Sequence, residues 1–218
     1  MRAENCKKKG MILFMKRIQE IRKITNKPYL NLYEAKAVGK DGEIFPYYFA
    51  TRKKEEEIKA KTFSKAPDGV AVYSVYGEEM DRLVLVKQFR YPINSYIYEL
   101  PAGLVDPGET DKEAGIREMR EETGLDLTVY EGGNPDIRSA FYTTVGMSDE
   151  SVSLIFGYAE GKPSKQYMEE TEDIQVILAD KEEVKRILHE ERVAMKCALL
   201  MLQFLQGEKG NPFGFLDI

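Results

Sequence analysis

The stretch GLVDPGETDKEAGIREMREETGL, Gly103 to Leu125, decides how this chain reads. Thr110-Asp-Lys-Glu113 has the form of a capping box, in which the threonine hydroxyl and the glutamate carboxylate satisfy opposite orphan amides at a helix start. Gly124 stands where a left-handed residue would stop that helix, so the spacing predicts a helix from about Asp111 to Thr123. Inside it, Glu118, Glu121 and Glu122 fall at i, i+3 and i+4, which brings three carboxylates to one face. Repulsion at that spacing costs roughly a few tenths of a kcal/mol per pair, and something should offset it. Arg117 can pair with Glu121 or with Glu109 in the preceding loop, but one guanidinium cannot neutralise the whole group. A divalent cation can. Carboxylate oxygens with no histidine or cysteine nearby suit Mg²⁺ or Mn²⁺ rather than zinc, so the pattern reads as a metal and phosphate site.

Working outward, strand-like segments precede the helix at Val70 to Tyr76, Leu83 to Phe89 and Tyr96 to Leu100, and the glycine-rich loop Pro101 to Glu109 leads into it. Further strands are expected at Leu127 to Tyr130, Arg138 to Thr144, Val152 to Ala159 and Ile174 to Ala179, then a largely helical end from Lys181 to Gln206. Strands interrupted by one helix and closed by later ones indicate an α/β or α+β layered domain over residues 62–218. Upstream, a helix is expected around Lys16 to Lys23. Tyr29 to Val38 and Glu43 to Thr51 flank Lys40-Asp41-Gly42, a strong hairpin signal. The charged block Arg52 to Lys61 reads as a solvated linker or connecting helix, so residues 16–61 form an N-terminal helix and hairpin region. Residues 1–15 are assigned no fold role.

Composition narrows the function. With 43% apolar residues among 218, the chain can bury a full core. The 37 acidic residues against 32 basic ones give a net charge of −5. No global positive field exists to hold a nucleic-acid backbone. Cys6 and Cys197 lie far apart without a zinc pattern and read as reduced thiols of a cytoplasmic protein. The apolar run Met11 to Met15 is too short for a membrane span or a signal-peptide core. The single histidine, His189, sits near the end of a charged helix and reads as helix-end electrostatics.

Gly103, five residues, Glu109, seven residues, Arg117-Glu118, apolar Met119, one residue, Glu121-Glu122, one residue, Gly124 and apolar Leu125 together resemble the Nudix box at every specified position. The resemblance implies an α/β/α sandwich with a mixed sheet. It also implies hydrolysis of a nucleoside diphosphate linked to another group, with Mg²⁺ (Mn²⁺ a possible substitute). It assigns metal ligation to Glu118 and Glu122, with Glu121 as ligand or supporting carboxylate, and to the carbonyl of Ala102. Arg117 and Glu109 would brace helix against loop, and Gly103 and Gly124 would be structural. Glu150, in Gly146-Met-Ser-Asp-Glu150, would be the base, with Asp149 the neighbouring alternative.

Residues 25–206 resemble, more loosely, the ADP-ribose pyrophosphatase branch of the family. Val86-Lys-Gln-Phe-Arg90-Tyr-Pro and Tyr98-Glu99-Leu-Pro-Ala-Gly103 carry that likeness, which implies that Arg90 contacts phosphate or ribose and that Glu99 shapes the pocket. It also implies a homodimer that exchanges the N-terminal hairpin, with Tyr47 and Tyr29 stacking on the base and Arg52 on phosphate. In place of the Ser-Pro-Gly-like segment of many ADP-ribose hydrolases, this chain has Thr144-Val145-Gly146. UDP-glucose-type or GDP-mannose-type hydrolysis is therefore the alternative to ADP-ribose, and a nucleotide-sugar sensor without turnover is the non-enzymatic one. A polymer such as RNA would call for a basic groove that the acidic balance argues against.

Overall fold

A computed structural model describes residues 17–135, 140–168, 173–208 and 210–217, which divide into two compact units. The first comprises the chain up to Ser64 together with Thr144–Glu150. It holds β1 (Ile18–Lys23), β2 (Asn31–Val38) and β3 (Ile44–Thr51), an antiparallel sheet in the order β1-β2-β3. The Asp-Gly signal is a hairpin turn, with Gly42 at φ 88° and the Gly39 amide donating to the Glu43 carbonyl at 2.8 Å.

The helix expected around Lys16 to Lys23 is instead a strand over Ile18–Lys23; Lys16 itself lies outside the described residues. The reason is a register shift between Ile18 and Glu20, beyond which Ile18 faces Ala37 and Ile21 faces Ala35. A bulge adds one residue to a strand, so apolar side chains three apart return to one face and imitate a helical period. Ile21 packs there with buried Tyr33, Ala35 and Ile58. Tyr33 stacks on Phe49 at 5.8 Å. Ile58, fully buried, anchors the charged block, which folds as a 3₁₀ turn (Glu55–Glu57) and the single-turn helix α1 (Lys59–Thr62).

The second unit comprises β4 (Gly69–Tyr76), β5 (Arg82–Arg90), β6 (Ser95–Glu99), β7 (Ala102–Leu104), α2 (Asp111–Thr123), β8 (Asp126–Val129), β9 (Phe141–Tyr142), β10 (Ser151–Glu160), β11 (Ile174–Ala179), α3 (Lys181–Glu190) and α4 (Met195–Gln206). The sheet runs β11-β5-β4-β10-β8, with β6 on β5, β7 on β4 and β9 on β10. Only β4 and β10 pair in parallel among these described strands. Of the strand expected over Arg138 to Thr144, Arg138 and Ser139 lie outside the described residues, and Phe141–Tyr142 form β9.

β4 reads GVAVYSVY without polar alternation because both of its faces are covered. Val70 and Val72 pack with Ala114 and Met119 of α2. Ala71, Tyr73 and Val75 pack with Val184 and Ile187 of α3 and with Met201 and Phe204 of α4. The result is a three-layer α/β/α arrangement around a mixed sheet. No helix among the described residues is long and apolar enough to cross a membrane.

Candidate active site

The ends of α2 form as the sequence dictates. Thr110 Oγ1 accepts from the Glu113 amide at 3.2 Å, and the Thr110 amide donates to Glu113 Oε2 at 2.8 Å. Gly124, at φ 72°, donates to the Arg120 carbonyl and lies so close to Ser164 that a Cβ would meet that residue's backbone at 2.7 Å. Met119 and Ala114, both fully buried, fix the roll of the helix against the sheet. That roll turns the acidic positions toward β7, whose Ala102 and Gly103 pair with Ala71 and Val70.

The three box carboxylates sit at different depths. Glu122 is buried, and its Oε2 accepts from the Ala102 amide at 3.1 Å. Glu118 is tucked against Gly103, where a Cβ would fall 2.0 Å from the Glu118 carboxylate carbon. Glu121 is the most open of the three.

Arg117 organises them. Its Nε and Nη2 grip Glu109 in two parallel bonds of 3.0 Å, and Nη2 also donates to the Leu104 carbonyl at 2.9 Å. Nη1 reaches Glu118 at 2.7 Å and Glu121 at 2.9 Å. The sequence offered Glu109 or Glu121 as partners; the structure makes both contacts and adds Glu118 and Leu104. A main-chain acceptor such as Leu104 leaves no mark in residue types. Hydrogen bonding to Arg117, helped by the Asp106 amide and opposed by partial burial, holds the Glu109 carboxyl below the usual carboxylate range. The same network, led by Glu109, pushes Arg117 further up.

Among the described residues, no three acidic, histidine or cysteine side chains meet as a cation cage. The Arg117 guanidinium bonds to both Glu118 and Glu121. The donor chemistry nevertheless fits a hard divalent cation: oxygen only, with carboxylates one helical turn apart. Gly103 leaves open the space that any side chain would take from Glu118.

Arg90 and Glu99, on neighbouring β5 and β6, form an ion pair of 2.6 Å. Alternation along β5 puts Arg90 on the same sheet face as Val84, the face that α2 covers, and Glu99 lies opposite Val86 on that face. On the other face the Cys197 thiol is buried and pushed up to about 12, by burial first and by Glu99 second, which makes it a packing residue.

The remaining expected residues belong to the first unit. Arg52 Nε lies 3.8 Å from Glu150 Oε1. The Tyr47 hydroxyl donates to the Gly146 carbonyl at 2.8 Å, whereas Tyr29, just before β2, is 81% exposed. Asp149 Oδ2 accepts from the Lys59 amide at 3.0 Å, which makes this carboxylate a tether for the loop. That pairing links positions ninety residues apart and had no signal in the sequence.

Fold and acidic helix together define a hydrolase built on a three-layer α/β/α scaffold. A match described as the NUDIX domain runs over residues 65–196, and the chain belongs to the Nudix family, whose members generally work with divalent metals. Its similar proteins include an ADP-ribose pyrophosphatase of Bacillus subtilis, 31% identical over 143 residues, which covers 65% of this chain and 74% of that one. An ADP-sugar pyrophosphatase of Mus musculus is 37% identical over 103 residues, covering 46% of this chain and 45% of the relative. The match to an ADP-ribose pyrophosphatase of Saccharomyces cerevisiae is 26% identical and spans 55% of its length, so the chain spans about half of some curated relatives. In fold, the chain resembles a solved ADP compounds hydrolase, with a TM-score of 0.59 at 17% identity, covering 85% of this chain and 91% of that one.

Proposed function

We propose that this protein hydrolyses the pyrophosphate bond of ADP-ribose, giving AMP and ribose 5-phosphate, with Mg²⁺ as the working metal and Mn²⁺ as a substitute. The observation that carries the reading is the set of box carboxylates on α2, oriented by one arginine that also grips the loop. The Bacillus subtilis and Saccharomyces cerevisiae relatives support the substrate, since both are named ADP-ribose pyrophosphatase.

Glu118 and Glu122, with Glu121 and the Ala102 carbonyl, would hold the metal. When bound, such a metal neutralises diphosphate oxygens and lowers the pKa of a water. Arg117 and Glu109 keep Glu118 and Glu121 in place. Glu150 takes the proton from the attacking water, and Arg52, whose Nε lies 3.8 Å from its Oε1, holds the carboxylate in place. Arg90, aimed by Glu99, and Arg52 supply local positive charge for phosphate. Tyr47 and Tyr29 offer flat faces to the adenine. The working form in this reading is a cytoplasmic homodimer.

Release of the nucleoside monophosphate from ADP-ribose, ADP-glucose, UDP-glucose, GDP-mannose and NADH, with Mg²⁺ and with chelator, tests the reading. Preferred, metal-dependent cleavage of ADP-ribose is expected, and Glu122→Gln should abolish it while the variant stays folded. Near-normal turnover in that variant removes the metal assignment. Preference for UDP-glucose or GDP-mannose would favour the second reading, to which Thr144-Val145-Gly146 points. Binding without cleavage would make the chain a sensor.

A further inference from the structure

On the sheet face opposite α2, the second unit contains a cavity of about 400 Å³, within the usual range for small-molecule sites. It is bounded by the β4–β5 turn, the start of α3 and the end of α4. Its apolar wall includes Phe204, Met80 and Pro212. Among the described residues, five carboxylates line it, from Glu79, Asp81, Asp180, Glu182 and Glu208, against one lysine; Glu182 also pairs with Lys185 at 2.7 Å and Asp180 caps α3. The lining lysine, Lys181, donates its ammonium to the carbonyls of Leu205 and Gly207 at 3.1 and 2.9 Å, so its charge is spent on the end of α4.

Tyr73 also lines this cavity, at 1% exposure. Its ring is fixed by Phe156, Phe213 and Phe215. Among the described residues its hydroxyl makes no hydrogen bond, which leaves it available to a partner in the cavity that this side chain lines. Burial raises the pKa of that hydroxyl, so it keeps its proton and can donate. None of these residues has a part in the proposed hydrolysis.

We infer that this cavity binds a small organic cation: an ammonium head among the rim carboxylates, an apolar body against Phe204 and Met80, and a polar atom at the far end bonded to the Tyr73 hydroxyl. An acidic rim excludes nucleotides and sugar phosphates, and a cavity of this size excludes a folded partner.

Isothermal titration with tyramine, phenethylamine and 3-(4-hydroxyphenyl)propanoate tests the inference. The first carries both the ammonium and the far hydroxyl, the second lacks the hydroxyl, and the third replaces the ammonium by a carboxylate. Saturable binding of tyramine below about 10 mM is expected, with none of the carboxylate. Tyr73→Phe should weaken tyramine several-fold and leave phenethylamine unchanged. The double variant Asp81→Asn, Glu208→Gln should weaken both amines about tenfold while ADP-ribose turnover stays as it was. Saturating ADP-ribose should not displace tyramine. Absence of saturable amine binding, equal binding of the carboxylate, or amine affinity unchanged in the double variant each overturns the proposal.

Discussion

Replacing Gly103 by alanine separates the stability of this fold from its chemistry. The backbone of β7 is ordinary extended strand at this position, so a methyl group causes no backbone strain. The obstacle is the Glu118 carboxylate, whose carbon and Oε1 lie 2.0 Å from where the new Cβ would sit. To regain an ordinary contact of 3.4 Å the carboxylate must retreat by about 1.4 Å. It ends a flexible side chain and can do so by giving up its bond to Arg117. That bond is partly exposed, so its loss should cost about 1 kcal/mol or less and lower the melting temperature by roughly 2–4 °C. Activity has no such tolerance, because misplacing a catalytic group by about 1 Å can cost about 100-fold. Gly103→Ala should therefore melt almost like the parent and lose about 100-fold in kcat/KM. Circular dichroism melts and a phosphate-coupled assay with ADP-ribose read the two quantities side by side. Activity within threefold of the parent would refute the placement of Glu118, and collapse of the fold would refute the claim that the carboxylate can yield.

Glu150→Gln should lower kcat by about 100-fold or more with little change in substrate binding, as expected for a general base. Unchanged turnover would send the search to Asp149, although Asp149→Asn should itself loosen the loop by weakening the bond to the Lys59 amide, which thermal melts would show. The Glu109 carboxyl is held below its ordinary value of 4.5, so its clamp on Arg117 contributes stability that is present above that pH and lost as pH falls through the lowered value. Melting temperature should accordingly fall less steeply below pH 4.5 in Glu109→Gln than in the parent; equal slopes would refute the link. Thr110→Ala removes one half of the capping box and should cost about 1 kcal/mol in urea unfolding, with an unchanged m-value.

Much of the site was legible because its information is local. Thr110, Glu113 and Gly124 bound α2 within one stretch of chain, and Met119 shows which side is inward. The hairpin was legible from Asp41-Gly42, and β11 from a short β-branched run ahead of a helix start. β1 was misread because its bulge returns Ile18 and Ile21 to one face at helical spacing. β7 went unseen inside a glycine-rich loop, since three residues carry too little pattern to count as a strand. Contacts to backbone groups, such as Arg117 to Leu104 or Asp149 to Lys59, are invisible in side-chain identities. The depth of each carboxylate also follows only from the roll of α2 on its sheet.

The loop Thr144–Glu150 belongs with the hairpin, not with its neighbours in the chain. The Ala50 amide donates to the Met147 carbonyl at 2.8 Å, and Tyr47 reaches Gly146 across ninety-nine positions. Translation makes the hairpin first, and at ribosomal speed its companion segment follows only about 5–20 s later. Until then the edge strand β3 waits with hydrogen-bonding groups unmet, a state open to another strand. The same wiring means that an N-terminal truncation at residue 65, which keeps the family-matched region whole, would strip the segment leading to Glu150 of the strand that holds it. The hairpin is thus no detachable adaptor, and a trimmed chain would carry every box residue yet lose the splint for its proposed base.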